Sequence, residues 1–255
     1  MRLLVLSDIH ANLEALEACL SAAPAYDRVM NLGDVVGYNA SPNEVCARVR
    51  AIRDQVVRGN HDRACSGLSD LSEFNLAAAI SARWTQTVLE ADHMQWLRSL
   101  PQGPLRCEEL PGLEFVHGSP KDENEYLLTL SAATADFRLP GHADAIFFGH
   151  THLQGGFACR NGKTRALALQ YEDADGVAHC RMELAPGERY LINPGSVGQP
   201  RDNDWRAAFA CYECNGTAPA IVTFWRAPYD LHQAQARILA ANLPERLATR
   251  LALGR

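Results

Sequence analysis

Five short groups of polar residues in the first 152 positions could do chemistry together. Each follows an apolar run: Asp8-Ile-His10, Gly33-Asp34-Val-Val-Gly37, Gly59-Asn60-His61-Asp62, His117-Gly118 and Gly149-His150-Thr-His152. Carboxylate, amide and imidazole donors in combination suit Mn²⁺, Fe²⁺ and Zn²⁺. The groups contain no cysteine, which argues against a structural zinc site. The residue types therefore predict a catalytic site for divalent transition metals.

The number of donors indicates two metals. Three oxygen donors and four imidazoles are too many for one catalytic ion that must keep a position open. Two ions that share one carboxylate fit the set better. The predicted ligands are Asp8, His10, Asp34, Asn60, His117, His150 and His152.

Each residue also has an ordinary structural explanation when taken alone. Asp8 could cap the following helix, and His117 could be a partly buried histidine with a satisfied ring. Taken together, the residues favour a functional site over these structural explanations, because five of the nine histidines fall in the short groups.

The elements that must position these groups alternate in the first third of the chain. Apolar runs predict strands over 2–7, 28–32 and 55–57, and helical spacing predicts helices over 12–22 and 42–53. This rhythm is typical of an α/β fold with a largely parallel core. Because loops at the carboxyl ends of parallel strands converge on one crevice, we expect the polar groups to meet there.

The rest of the chain is more varied. Residues 63–101 predict a helical insertion, with helices over 74–89 and 93–100. Strands are predicted over 113–116 and 145–148, then in a meandering antiparallel series over 156–170, 177–184, 189–192, 207–214 and 220–226. The tail, 231–253, predicts two amphipathic helical segments broken at Pro244.

Composition excludes several classes of protein. The formal net charge of −6 over 255 residues gives no basic excess, so stable nucleic-acid binding is not expected. The apolar run 3–6 is too short for a signal peptide, and no stretch is long enough to cross a bilayer. A cytoplasmic, single-domain protein with eight reduced cysteines is the prediction, and no pattern indicates an oligomeric state.

The ordered set of five groups resembles the calcineurin-like metallophosphoesterase superfamily. Within it, the short bacterial enzymes of the YfcE-like phosphodiesterase type share Asn193-Pro-Gly-Ser-Val-Gly-Gln-Pro-Arg201 after the last group. The resemblance implies a four-layer α/β/β/α sandwich of two mixed β-sheets flanked by helices, with residues 63–101 as an insertion. It also implies two divalent ions, with Mn²⁺ expected and Fe, Zn, Ni or Co as alternatives.

The resemblance assigns a role to each matching residue. One ion is held by Asp8, His10 and His152, the other by Asn60, His117 and His150, and Asp34 bridges them. His61 contacts the phosphate and acts as general acid, with Asp62 orienting it. The expected substrate-binding residues are Asn60, His61 and Arg201.

The predicted function is hydrolysis of a phosphodiester or phosphomonoester of a small organic phosphate or nucleotide. A water bridging two cations loses its proton near neutral pH, and it is the expected nucleophile. A phosphoprotein phosphatase, a diadenosine tetraphosphate hydrolase and a non-enzymatic metal-bound scaffold are the alternatives.

Three secondary features have two interpretations each. Arg58, Arg63 and Arg201 could clamp phosphate or lie on the surface. The loop 193–198 could offer backbone N–H groups to an anion, or pack beneath the metals with Asn193 and Ser196 as hydrogen-bonding residues, which we favour. Trp84 and Trp96 could stack on a base, although helical spacing favours a place in the core.

Overall fold

The computed structural model describes residues 1–52, 55–139, 143–216 and 219–255. Its strands are β1 (Arg2–Leu6), β2 (Arg28–Asn31), β3 (Gln55–Val56), β4 (Leu105–Arg106), β5 (Leu113–Phe115), β6 (Ala145–Phe147), β7 (Gly155–Arg160), β8 (Lys163–Ala166), β9 (Glu172–Ala174), β10 (Val177–Glu183), β11 (Arg189–Asn193), β12 (Ala207–Glu213) and β13 (Ile221–Ala227). Its helices are α1 (Leu13–Ala22), α2 (Pro42–Ile52), α3 (Asn60–Cys65), α4 (Leu76–Val88), α5 (Ala91–Ser99), α6 (Leu130–Phe137), α7 (Leu231–Ala240) and α8 (Glu245–Leu253).

The strands form two mixed sheets. The first has the order β3-β2-β1-β12-β13-β10-β9, and the second has the order β4-β5-β6-β11-β7-β8. The parallel pairs are β1 with β2, β2 with β3, β5 with β6 and β6 with β11, and the other pairs are antiparallel. Each sheet therefore has a parallel part, and these parts carry the polar groups at their strand ends.

Alternation along β1 shows how the layers are built. Leu3 and Val5 point into a core shared with Phe115 and Phe147 of the second sheet, whereas Leu4 and Leu6 point to the opposite face. Successive side chains of a strand point to opposite faces, so an uninterrupted apolar run indicates a strand buried on both sides. The strand β1 is consequently central to two cores.

The outer face of each sheet is covered by helices. Apolar residues of α1, α2, α4, α7 and α8 pack in the core cluster that contains Leu4 and Leu6. On the second sheet, Ala133 and Phe137 of α6 pack with Ile146 and Phe148. The result is the predicted four-layer α/β/β/α sandwich, which is confirmed.

Several predicted elements are confirmed within a few residues. Asn12 caps α1, since its Oδ1 accepts the N–H of Ala15 over 3.1 Å. The insertion holds α4 and α5, and Pro244 separates α7 from α8. The helix predicted over 42–53 ends at Ile52 among the described residues, because Arg53 lies outside them.

Two helices were not predicted. The helix α3 begins at Asn60, inside a polar group that we interpreted as a loop. The helix α6 follows Thr129, whose side chain accepts the N–H of Ala132 over 3.1 Å. The prediction of one strand-like region over 156–170 is also corrected, because the chain turns there between β7 and β8.

Two further expectations concern cysteines and membranes. The eight cysteines are free thiols, and all but Cys214 are buried. Among the described residues, no helix combines the length and apolarity needed to cross a bilayer.

Candidate metal centre

The predicted ligands come from both sheets. Asp8, Asp34 and Asn60 follow β1, β2 and β3 of the first sheet. His117 follows β5 of the second sheet, and His150 and His152 follow β6. All of the predicted ligands are buried and meet at one place: Asp8, His10, Asp34, Asn60, His117, His150 and His152.

The backbone at these strand ends is unusual. Five of the predicted ligands have a positive φ, between 49° and 63°: Asp8, His10, Asp34, His150 and His152. Residues other than glycine rarely adopt the left-handed region, and each instance costs free energy that the surrounding structure must offset. Such strain concentrates at functional sites, so its coincidence with the predicted ligands supports a functional role for this loop cluster.

Two glycines allow the loops to approach closely. A Cβ atom on Gly59 would lie 2.1 Å from Asp34 Oδ1, and one on Gly149 would lie 2.0 Å from Ser7 Oγ. Any larger residue at either position would displace a neighbouring loop that carries a carboxylate. These glycines of the polar groups are thus required by close packing.

Hydrogen bonds on the far side of three rings fix how the histidines face the centre. Each Nδ1 lies close to a backbone carbonyl, which can only accept, so each Nδ1 carries a proton and donates. In a neutral imidazole the Nε2 atom then has a free lone pair, and this is the usual arrangement of metal-bound histidines. The pairs are His10 with Val36 O (3.1 Å), His117 with Leu32 O (2.8 Å) and His152 with Gln199 O (2.5 Å).

The rings of His10 and His152 face each other in a way that favours a cation. Their Nε2 atoms are 3.1 Å apart. Burial lowers the pKa of both residues, well below the usual value for His10, so both rings are neutral. Two lone pairs then point at one another in a buried place, and a positive ion bound by both would remove the repulsion. The donor set therefore fits a metal.

The carboxylates lie where two ions would need them. Asp8 Oδ1 lies 3.2 Å from His152 Nε2 and 3.9 Å from His10 Nε2. Asp34 Oδ2 lies 3.5 Å from His10 Nε2 and also 3.5 Å from His117 Nε2. Two groups of potential ligand atoms, each within 4.8 Å, share Asp34: one with Asp8, His10 and His152, the other with His117 and His150.

His150 is oriented differently from the other three histidines. Its Nε2 donates to Asn124 O over 3.2 Å, and its ring lies 3.8 Å from the ring of Tyr126. The Nδ1 atom is therefore the one that can face an ion. Burial lowers the pKa of His150 to about 3, so this ring is neutral as well.

His117 is positively charged at neutral pH, with a proton on each ring nitrogen. Burial alone would lower its pKa, but the adjacent Asp34 carboxylate outweighs burial and raises the pKa to about 10. Its Nε2 then donates to Asn60 Oδ1, 3.0 Å away. A proton thus occupies the space between two predicted ligands of the same ion, where a cation would otherwise lie.

The predicted role of Asp62 is corrected. Its carboxylate does not orient the ring of His61, because both oxygens accept backbone N–H groups. Oδ2 accepts those of Asp34 (2.9 Å) and Gly59 (3.0 Å), and Oδ1 accepts those of Val35 (2.8 Å) and Val36 (3.2 Å). Asp62 therefore fixes the loop that carries Asp34.

His61 itself lies against the centre. Its backbone N–H donates to Asp34 Oδ1 over 2.8 Å, and its buried Nδ1 has no hydrogen-bond partner among the described residues. The ring stacks on Phe74, with 4.6 Å between centroids and 22° between planes. Burial lowers the pKa of His61 to about 4.

The three arginines named in the sequence have different surroundings. Arg58 and Arg63 share the buried carboxylate of Glu123, whose single negative charge offsets one of their two positive charges. Arg201 donates to Gln199 Oε1 over 2.9 Å, and its backbone N–H donates to His152 O. Of the three, Arg201 is the one without a carboxylate partner among the described residues, and it lies next to the centre.

The loop 193–198 packs beneath the metal site, as favoured. Asn193 Nδ2 donates to Gly149 O (2.8 Å) and to Thr151 Oγ1 (3.0 Å). Ser196 Oγ donates to Asp8 O over 2.8 Å. Trp84 and Trp96 pack against the main core, which confirms their expected structural role.

Sequence reasoning gave no individual role to four residues that shape the site: Tyr38, Asn124, Tyr126 and Gln199. Asn124 and Gln199 act through backbone carbonyls, for which side-chain types give no signal. Tyr38 directly follows Gly33-Asp34-Val-Val-Gly37, and that proximity could have identified it.

Comparisons with known proteins agree with this geometry. The family model described as the calcineurin-like phosphoesterase superfamily domain matches residues 1–217. An uncharacterised protein of Methanocaldococcus jannaschii is 34% identical over 261 residues, covering 98% of this chain and 97% of its own length.

Solved structures extend the similarity over the whole chain. The crystal structure of a metallophosphoesterase from Sphaerobacter thermophilus shares 39% identity with a TM-score of 0.82, over 100% of this chain and 99% of that one. A hypothetical protein from Pyrococcus horikoshii shares the fold, with 19% identity and a TM-score of 0.76 over 100% and 98% of the two chains. The chain belongs to the calcineurin-like phosphoesterase superfamily.

Proposed function

We propose that this protein hydrolyses a phosphoester of a small organic phosphate or nucleotide with two divalent ions. Asp8, His10 and His152 would hold one ion, Asn60, His117 and His150 the other, and Asp34 both. The observation that carries the proposal is the position of Asp34 Oδ2, 3.5 Å from a histidine of each set. A carboxylate in that place has one oxygen within reach of two ions.

Two ions bound there would activate water and neutralise charge on the phosphoryl oxygens. Mn²⁺ is the ion we propose, because carboxylate, amide and imidazole donors without thiolate suit it. The protein contributes histidines held by backbone carbonyls, and a buried setting in which charge interactions are strong.

His61 is the proposed proton donor to the departing oxygen. It lies beside the centre, with its ring 4.8 Å from that of His10, and its Nδ1 has no hydrogen-bond partner among the described residues. Its low pKa is set first by burial, and a bound phosphate ester adds negative charge that favours the protonated ring. Proton donation would then depend on substrate being present.

A cavity next to the second ligand set offers room for the leaving group. It has a volume of about 360 Å³ and is bordered by Asn60 and His150 on one side and by Phe74 and Tyr126. Asp70 and Glu73 also line it, together with Arg63, which is paired with Glu123; the lining is therefore acidic on balance and disfavours an anionic leaving group. A phosphodiester carries one negative charge at neutral pH and a phosphomonoester close to two, so acidic side chains beside the phosphoryl group disfavour the monoester more, and for this reason we propose a preference for diesters.

Full-length protein loaded with Mn²⁺, Ni²⁺, Co²⁺ or Fe²⁺ and assayed on bis(4-nitrophenyl) phosphate and 4-nitrophenyl phosphate tests the proposal. Higher kcat/KM for the diester is expected, and the Asp34→Asn variant should be inactive. A phosphopeptide and a dinucleoside polyphosphate in the same assay examine the two alternative hydrolases. Failure to cleave any of these substrates with any of the ions would leave the scaffold as the remaining explanation.

A further inference from the structure

Two arginines from distant parts of the chain meet over one aromatic ring. Arg201 lies in the loop after β11, and Arg250 lies in the last turn of α8. Their guanidinium carbons are 5.6 Å and 5.8 Å from the centroid of the Tyr38 ring. The helix α8 thus brings a second positive charge to the ring of Tyr38.

Within the described part of the chain, neither residue forms an ion pair with an Asp or Glu side chain, and the partners they do have are Gln199 Oε1 for Arg201 and an oxygen of Arg255 for Arg250. Arg201 Nε is buried without an acceptor, and Arg250 Nε donates to the main-chain oxygen of Arg255. Burial, and then the charge of Arg201, lower the pKa of Arg250 to about 10. Two like charges in a partly buried place repel each other, and a bound anion would relieve that repulsion.

This arginine pair lies at the edge of the metal centre. The ring of Tyr38 is 4.5 Å from that of His61 and 4.7 Å from that of His10. The backbone N–H of Arg201 donates to His152 O over 3.1 Å. A group bound by the pair would consequently be a near neighbour of a phosphoryl group at the metals.

We propose that Arg201 and Arg250 bind a second anionic group of the substrate, a phosphate or a carboxylate. Guanidinium groups match both anions with paired N–H donors, and such charge-assisted bonds are stronger than neutral ones. The substrate class is then a phosphoester that carries a further acidic group on the part not expelled. This inference deepens the proposed function and rests on it for the position of the reacting phosphate.

The two sides of the site differ in charge, which would set the direction of binding. The cavity proposed for the leaving group is lined by two carboxylates, Asp70 and Glu73, and by one cation, Arg63, which is paired with Glu123. The arginine pair lies beside Tyr38 and the first ligand set. An ester with one acidic end and one uncharged end would therefore bind with its acidic end at the arginines.

Calorimetric binding to the Mn²⁺-loaded full chain tests this directly. The probes are ω-phosphonocarboxylates of increasing chain length, bisphosphonates of the same lengths, and matching alkylphosphonates that lack the second anion. At the best length we expect Kd at least about ten-fold lower than for the alkylphosphonate, as befits hydrogen bonds to charged groups. The series that shows the larger gain identifies the second group as carboxylate or phosphate.

Variants of α8 assign the gain to Arg250. The preference is the Kd of the alkylphosphonate divided by the Kd of the probe with a second anion. In Arg250→Gln this ratio should fall about ten-fold, while Arg250→Lys should retain part of the preference because the charge remains. Arg246→Gln removes an exposed positive charge one turn earlier and serves as the matched control, with no change in the ratio. Thermal denaturation checks that each variant is folded.

Two results would overturn the inference: a ratio near one at every chain length in the natural protein, or an unchanged ratio in Arg250→Gln. These results differ from failure of the proposed function. A protein that cleaves no phosphoester but keeps the Arg250-dependent preference lacks the activity and has the anion site. A diesterase without that preference has the activity and lacks the site.

Discussion

The backbone N–H of Asp34 donates to Asp62 Oδ2 over 2.9 Å. Asp34 is proposed to serve two ions, and Asp62 lies beneath it without a place in either ligand set. With its two oxygens, Asp62 accepts four backbone N–H groups, three of them in the loop from Asp34 to Val36. An ionised carboxylate can accept four hydrogen bonds, because it has two oxygens and no proton to donate.

Asp62→Asn should therefore be destabilising even though the side chain keeps its shape. One oxygen becomes an NH₂ group that faces backbone donors, and buried N–H groups lose their acceptor. We expect the free energy of unfolding to fall by about 3 kcal/mol. Urea denaturation measures it, with Asp70→Asn as the control, since Asp70 is exposed and its carboxylate caps only its own turn at Ser72. Equal stability of the two variants would contradict the proposed anchoring role.

Metal content should divide the ligand variants into two classes. The natural protein is expected to bind two ions per chain after loading with Mn²⁺ and gel filtration, as measured by elemental mass spectrometry. Asp34→Ala should lose both ions, because that carboxylate is placed between the two sets. His150→Ala should keep about one. A single ion in Asp34→Ala would show that the carboxylate does not serve both.

His61→Gln should keep its metals and lose turnover selectively. General acid catalysis typically contributes about 10²–10⁴-fold, and it matters most for poor leaving groups. We expect a large drop in kcat for an alkyl phosphodiester and a small one for bis(4-nitrophenyl) phosphate, with metal content unchanged. Equal losses on both substrates would assign His61 to positioning instead of proton donation.

Thiol reactivity should separate one cysteine from the others. Burial raises the pKa of Cys19, Cys46, Cys65 and Cys211, so these thiols remain protonated and shielded at neutral pH. Cys214 is partly exposed. In native protein we expect an aromatic disulfide reagent to modify Cys214 first, with the remaining thiols reacting only after denaturation. Peptide mapping identifies the site, and Cys214→Ser should abolish the fast phase.

Most of the candidate site could be predicted because its residues are close in sequence to strand ends. Asp8, Asp34 and His117 each follow an apolar run, and the carboxyl ends of parallel strands meet at one edge. An apolar run does not show which other strand will pair with it in the sheet. Pairing of β12 with β1 joins residues some 200 positions apart, as in Leu4 opposite Cys211, and no local pattern encodes it.

Other details depend on contacts that side-chain types do not reveal. The carbonyl of Gln199 orients His152, and any residue supplies a carbonyl. Arg250 belongs to a helix whose amphipathic pattern was recognised, yet the pattern says nothing about Tyr38, which lies more than 200 positions earlier. The role expected for Asp62 came from the resemblance, whereas the turn at the start of α3 directs its carboxylate to backbone N–H groups.

The proposed ligands come from the ends of strands in two different sheets. Ions that bind only when the sheets are docked stabilise that docking by linkage, as any ligand of one state does. Strand ends near Asp34 and His117 should therefore exchange their amide hydrogens more slowly once metal is added, and do so together. A chain stripped of its ions would hold its two sheets together through their shared apolar core alone.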